Sequence, residues 1–234
     1  MKTVFLDGRP LSSYSVRESA KRLGVVSRHN NVGFDFTVLE MVLMGRSPNK
    51  RALDRDNEED YKIARDAIAT VGMSDFENRL FSTLSVGERQ RVILAQALAQ
   101  QSPCLILDEP TNHLDIKYQL QIMDIVKKLD LTIIAAIHDL NIAAMYCDRL
   151  YVIQNVAVVA EGTTVDVLTP GFILEIYEVD VISGSEGQIH IRDSTMNPRI
   201  YFAGVHPPLF MAFRKYFSST EFTILPLILQ IDKK

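Results

Sequence analysis

Three short segments carry residue types that could do chemistry together. They are Leu84-Ser85-Val86-Gly87-Glu88, the run Leu105-Ile106-Leu107-Asp108-Glu109-Pro110-Thr111-Asn112-His113-Leu114-Asp115, and Ile137-His138-Asp139. Ser85-x-x-Glu88 is a capping box, in which each side chain satisfies a free amide at a helix start. Further free amides and the positive end of the helix dipole make such a start an anion site, and Gly87 allows close approach of the backbone. Asp108-Glu109 closes an apolar run that reads as a buried parallel strand, and α/β folds bind ligands at the carboxyl ends of such strands. The first carboxylate there suits Mg²⁺, usually through water, and the second suits orienting or deprotonating an attacking water. His138 ends the next apolar run, where it could donate a hydrogen bond to a phosphate oxygen. Taken singly, the three have plain explanations as a capped helix, a solvated turn and a structural histidine. Their order and spacing point instead to a nucleotide site.

The elements that must position these groups can be read from the pattern. Cys104 to Leu107 and Thr132 to Ile137 are continuous apolar runs, expected as strands covered on both faces. Between them Tyr118, Ile122, Ile125, Val126 and Leu129 recur at helical spacing. A short helix from Leu140 to Tyr146, capped by Asp139, and a hairpin of Leu150 to Ile153 with Ala157 to Ala160, turning at Gln154-Asn155, should follow. Upstream, Thr3 to Leu6 reads as a short strand closed by Asp7-Gly8. Capping boxes at Ser15-x-x-Glu18 and Thr37-x-x-Glu40 open helices expected to end near Gly24 and Gly45. Val25-Val26 should begin a buried strand. Asp56 to Val71 places Tyr61, Ala64, Ile68 and Val71 on one helical face, with Gly72 as terminator. After His190 the regularity fades.

Composition narrows the class. The 234 residues are 47% hydrophobic and 23% charged, ordinary for an α/β protein able to bury a sizeable core. A net charge of −4 advertises no face for nucleic acid. Cys104 and Cys147 form no spacing motif and read as reduced core thiols. The opening residues reach a turn too soon for a signal peptide. Phe222 to Ile231, the longest apolar stretch, is too short to span a bilayer, which takes about 20 residues.

Leu84 to Glu88, the Asp108-Glu109 strand, the Asn112-to-Asp115 turn and His138 resemble the signature, Walker B, D-loop and switch histidine of ABC transporter ATP-binding subunits. The resemblance runs from about Val4 to about Asp180. Thr37-Val38-x-Glu40 through Met44-Gly45-Arg46-Ser47-Pro48 resembles the subgroup that serves iron-siderophore, haem and cobalamin importers, and Ala95 to Gln100 agrees with it. The fold implied is α/β, a P-loop NTPase-type ABC ATPase core with a helical subdomain, N-terminally incomplete. The core would comprise residues 1–36 and 84–190 and the helical subdomain 37–83, leaving 191–234 as a tail of unassigned structure. The cofactors implied are ATP and Mg²⁺. Glu109 and His138 would be catalytic, Ser85, Gly87, Glu88 and Asp115 would bind nucleotide, and Asp108 would organise Mg²⁺ through water.

The resemblance also implies partners: permease subunits, a second ATP-binding subunit and, indirectly, a substrate-binding protein. It places the chain in the cytoplasm, on the inner face of the membrane through the permease. The helical subdomain would receive the permease's coupling helix, with Glu40 and Arg46 as surface charges that matter more for assembly than for folding. Three departures stand against the family pattern. No G-x-x-x-x-G-K-[ST] loop is present to hold the β- and γ-phosphates. Arg28 stands where a glutamine that touches Mg²⁺ is expected. Val86 replaces the first glycine of the signature. The function implied is ATP binding and hydrolysis in an importer. The alternative is a degenerate or truncated subunit that does not hydrolyse ATP and serves as a binding or regulatory partner of an intact ABC ATPase.

Overall fold

The computed structural model describes residues 4–27, 35–51, 54–111, 114–154, 157–177, 180–183, 189–192 and 227–231. They fall into two units, Met1–Ala135 and Ala136–Ile231. In the first, β1 (Phe5–Leu6) and β2 (Arg9–Pro10) pair antiparallel across Asp7-Gly8. The Ser15 capping box opens α1 (Val16–Ala20). This helix stops short of Gly24, which lies instead inside β3 (Leu23–Val26). The cause is distant in sequence: the Gln100 side-chain amide donates to the Ala20 and Leu23 carbonyls and turns the chain early. Val26 is buried, but Val25 is 55% exposed, so one face of β3 opens onto a cleft shared with Met44, Gly45 and Pro48.

Capping boxes also open α2 (Val38–Leu43), from Thr37, and α3 (Glu58–Thr70), where Asn57 pairs with Asp60. The chain does not break at Gly45. It tightens into a 3₁₀ turn over Met44–Asn49, with Gly45 inside it. A Cβ at Gly45 would collide with the Gln96 carbonyl, so close approach of two backbones, not helix termination, requires glycine there. Ala64, Ile68 and Val71 bury the inner face of α3. Two more 3₁₀ turns, Ser74–Phe76 and Phe81–Thr83, lead to α4 (Val86–Ala99). Both α2 and α3 pack on α4. Met41, Ile68, Met73 and Leu94 are buried in this part of the unit, and each such side chain contributes about 1.5–3 kcal/mol.

Arg46 departs most from expectation. It is only 7% exposed, and its Nε donates to Asp60 Oδ1 at 3.0 Å. Its Nη1 donates to the Ala99 carbonyl at 2.7 Å and to Gln101 Oε1 at 2.9 Å. The expected surface charge is therefore a core ion pair that caps the C-terminal end of α4. Burial alone would raise the Asp60 carboxyl, but hydrogen bonds from Arg46 and Asn57 and the charges of Arg46 and Lys50 hold it below its ordinary value. Glu40 is exposed, yet its carboxylate accepts from the Thr37 amide and hydroxyl, so it belongs to the α2 cap.

After α4, β4 (Cys104–Asp108) runs parallel to β3, in register from Leu23 opposite Cys104 to Val26 opposite Leu107. The next helix, α5 (Ile116–Lys128), buries Gln119, Ile122, Met123 and Val126, a face rotated from the expected stripe because Gln119 and Met123 displace Tyr118 and Leu129. Then comes β5 (Thr132–Ile137), whose Thr132 amide donates to the Pro103 carbonyl ahead of β4.

In the second unit α6 (Leu140–Tyr146) is capped by Asp139, whose Oδ1 accepts from the Asn141 and Ile142 amides. The strands β6 (Arg149–Gln154) and β7 (Ala157–Gly162) form the expected antiparallel pair. Next are α7 (Thr164–Val167), α8 (Pro170–Tyr177) and the antiparallel pair β8 (Asp180–Ser183) and β9 (Ile189–Arg192). In the tail, β10 (Leu227–Ile231) pairs antiparallel with β6, from Leu227 opposite Val152 to Gln230 opposite Arg149. Neither Cys104 nor Cys147 forms a disulfide, and burial raises the pKa of Cys104. Among the described residues no helix is long and apolar enough to cross a membrane.

Candidate functional site

Ser85 is exposed in extended backbone before α4, and the capping box closes fully. The Ser85 amide donates to Glu88 Oε2 at 2.7 Å and the Glu88 amide to Ser85 Oγ at 3.4 Å. Hydrogen bonding with the Ser85 side chain and amide holds the Glu88 carboxyl below its ordinary value. The box leaves the Val86 and Gly87 amides at the positive end of a 14-residue helix, where an anion is favoured. Val86 is 61% exposed, so its side chain stands out beside those amides.

Gly87 has a reason the sequence did not show. A Cβ there would meet the Tyr118 ring at 3.0 Å, so the first turn of α4 lies directly against the first turn of α5. The contact sets the Ser85 helix start beside the turn that carries Asp115. Asp115 is the N-cap of α5, but its side chain makes no capping bond and is exposed, so the carboxylate is not committed to the helix. Gln119 braces this turn: its buried Nε2 donates to the Thr111 carbonyl at 3.0 Å and to the Leu114 carbonyl at 2.9 Å. Gln119 escaped the sequence reading, and Tyr118 was read only as part of a helical stripe. The signal for Gln119 was its place at i in a stripe completed by Ile122, Met123 and Val126, a polar residue on a core face.

Asp108 ends β4 exposed, and Glu109 follows half-buried with φ +49°. A non-glycine residue in the left-handed region costs about 1–2 kcal/mol, which the surrounding structure must offset. The strand therefore ends in a sharp turn at Glu109. Among the described residues no group of three or more His, Cys, Asp and Glu side chains gathers to hold a metal. The exposed Asp108 carboxylate at the strand end is a donor that fits Mg²⁺, which keeps several waters and needs one or two carboxylates besides phosphate oxygens. His138 lies between β5 and the Asp139 cap, half-buried, in the second unit. Arg28, Asn112 and His113 lie outside the described residues. A hollow of about 370 Å³, lined by Leu98, Gln101, Pro103, Leu105 and Leu131 among others, touches none of these groups.

Comparison with known proteins identifies the family. Residues 2–112 match the ABC transporter family. The chain is 38% identical over 189 residues to a petrobactin import ATP-binding protein of Bacillus anthracis, an alignment covering 78% of this chain and 70% of that one. It is 38% identical over 188 residues to a cobalamin import ATP-binding protein of Halobacterium salinarum, covering 79% of this chain but about half, 47%, of that one. Among solved structures it is similar to an ATP-binding cassette seen as a dimer in a post-hydrolysis state with ADP and phosphate. There the TM-score is 0.59 at 28% identity, with 68% of this chain and 72% of that one covered.

Proposed function

Since this chain belongs to the ABC transporter family, we propose that it is the ATP-binding subunit of an importer for iron-chelate, haem or cobalamin-type substrates. In this proposal it docks on permease subunits at the inner face of the membrane and pairs with a second ATP-binding subunit. The observation that carries it is the end of β4, where exposed Asp108 is followed by Glu109 in left-handed backbone. Asp108 would hold Mg²⁺ through water, and Glu109 would orient the attacking water and draw on its proton. Mg²⁺ bound with the nucleotide supplies charge neutralisation at the phosphate oxygens. The helix start formed by Ser85, Gly87 and Glu88 receives the phosphates of a nucleotide shared with the partner subunit, and Asp115 contributes from its open cap. His138 donates to a terminal phosphate oxygen. The reaction also needs a lysine-bearing phosphate loop, and no G-x-x-x-x-G-K-[ST] motif occurs in these 234 residues.

The test is reconstitution of the transporter in vesicles from the permease and this chain extended by an upstream phosphate-loop segment, with ATP inside and a cobalamin or ferric chelate outside. Uptake that requires ATP and stops with Asp108→Asn supports the proposal. A complex that assembles and transports equally well with Asp108→Asn would refute it.

A further inference from the structure

The turn Met44–Asn49 was singled out by its sequence, and the nucleotide chemistry leaves it unused. Its contacts converge on one place, the C-terminal end of α4. Gly45 abuts the Gln96 carbonyl, Arg46 takes the Ala99 carbonyl and Gln101 Oε1, and Asn49 Nδ2 donates to the Gln100 carbonyl at 2.8 Å. Arg46 is in turn held by Asp60, which also closes the capping box at the start of α3. A cation on the last carbonyls of a helix is favoured by its dipole. One guanidinium thus locks the start of α3 to the end of α4, while the opposite end of α4 carries Ser85.

We propose that Arg46 is a positioning residue for the chemistry at Ser85, fixing the tilt of α4 from its far end. The proposal rests on the ABC ATPase reading above. The helix has 14 residues and is about 21 Å long at about 1.5 Å per residue. A tilt of about 3° at the anchored end therefore moves Ser85 by about 1 Å, and misplacement on that scale can cost about 100-fold in rate. The planar guanidinium satisfies Asp60, Ala99 and Gln101 together. A lysine keeps the charge but offers a single compact ammonium, which cannot hold all three in the same geometry.

The experiment measures ATP turnover of the assembled transporter, at a temperature where each variant is fully folded by its melting curve. Arg46→Lys is expected to lower kcat about tenfold with KM for ATP within about twofold. Gln101→Asn suits the left-handed backbone at that position but shortens the reach to Arg46, and a smaller fall in kcat is expected. Ile68→Val, in the α3 core, should lower the melting temperature and leave kcat unchanged. Arg46→Lys that melts earlier yet keeps wild-type kcat, or that raises KM alone, would overturn the proposal. A wild-type complex without Glu109-dependent turnover would instead overturn the ATPase reading, and the proposal with it.

Discussion

At its C-terminal end α4 is tied to distant parts of the chain: Arg46 on the Ala99 carbonyl, Asn49 on the Gln100 carbonyl, and the cap residue Gln100 on the Ala20 and Leu23 carbonyls. At its N-terminal end the bonds are local: Ser85 with Glu88, and Arg89 donating to the Leu84 and Ser82 carbonyls. One end buries a charge pair, and the other leaves Ser85 and Val86 in solvent. The difference separates charges that hold the fold from groups left open to a ligand. Removing the first kind should cost stability, and removing the second kind should cost activity.

The largest effect should come from Arg46→Ala. It leaves Asp60 buried without its cation, which costs about 3–5 kcal/mol, much of a domain's typical stability of about 5–15 kcal/mol. Urea denaturation followed by circular dichroism measures this, and a loss below about 1 kcal/mol would place the pair at the surface in energetic terms. Gly45→Ala forces a methyl against the Gln96 carbonyl and should cost about 1–3 kcal/mol by the same method.

Acid is a milder way to weaken the same end. The native Asp60 carboxyl is held below its ordinary value, so the native state binds fewer protons there than the unfolded chain. Its stabilising contribution is complete above the unfolded value of about 3.9 and is lost as pH falls through the native value. Asp60→Asn should flatten this part of the pH dependence of melting. An unchanged profile would remove Asp60 as its source.

At the open end, Ser85→Ala should cost only about 1 kcal/mol, the value of a helix cap. Smallest of all, Asp108→Asn at the exposed end of β4 should change stability by less than about 0.5 kcal/mol, as for other surface positions outside the packed core.

The parts of this comparison written in neighbouring residues were legible in the sequence. The capping boxes at Ser15, Thr37 and Ser85 need only a residue and its third neighbour, and all three form. The apolar runs of β4 and β5 declare strands for the same reason. The anchored end was misread because its partners are distant: Arg46 meets Asp60 14 residues on and Ala99 53 residues on. An arginine beside glycine and proline looks like a surface turn until those partners are in place. Gly87 was legible as a place of close backbone approach, whereas the Tyr118 ring packed against it lies on another helix and could not be foreseen. The Asp108-Glu109 pair was legible as the end of a strand, whereas the left-handed turn at Glu109 became visible only in the backbone.

The most direct test of the separation is Glu109→Gln in the assembled transporter, with melting temperature, ATP binding and ATP turnover measured on the same preparation. Turnover should fall to background while melting and nucleotide binding stay at wild-type values. Turnover at the wild-type rate would show that the water is activated elsewhere and that the open end of the site has been assigned to the wrong carboxylate.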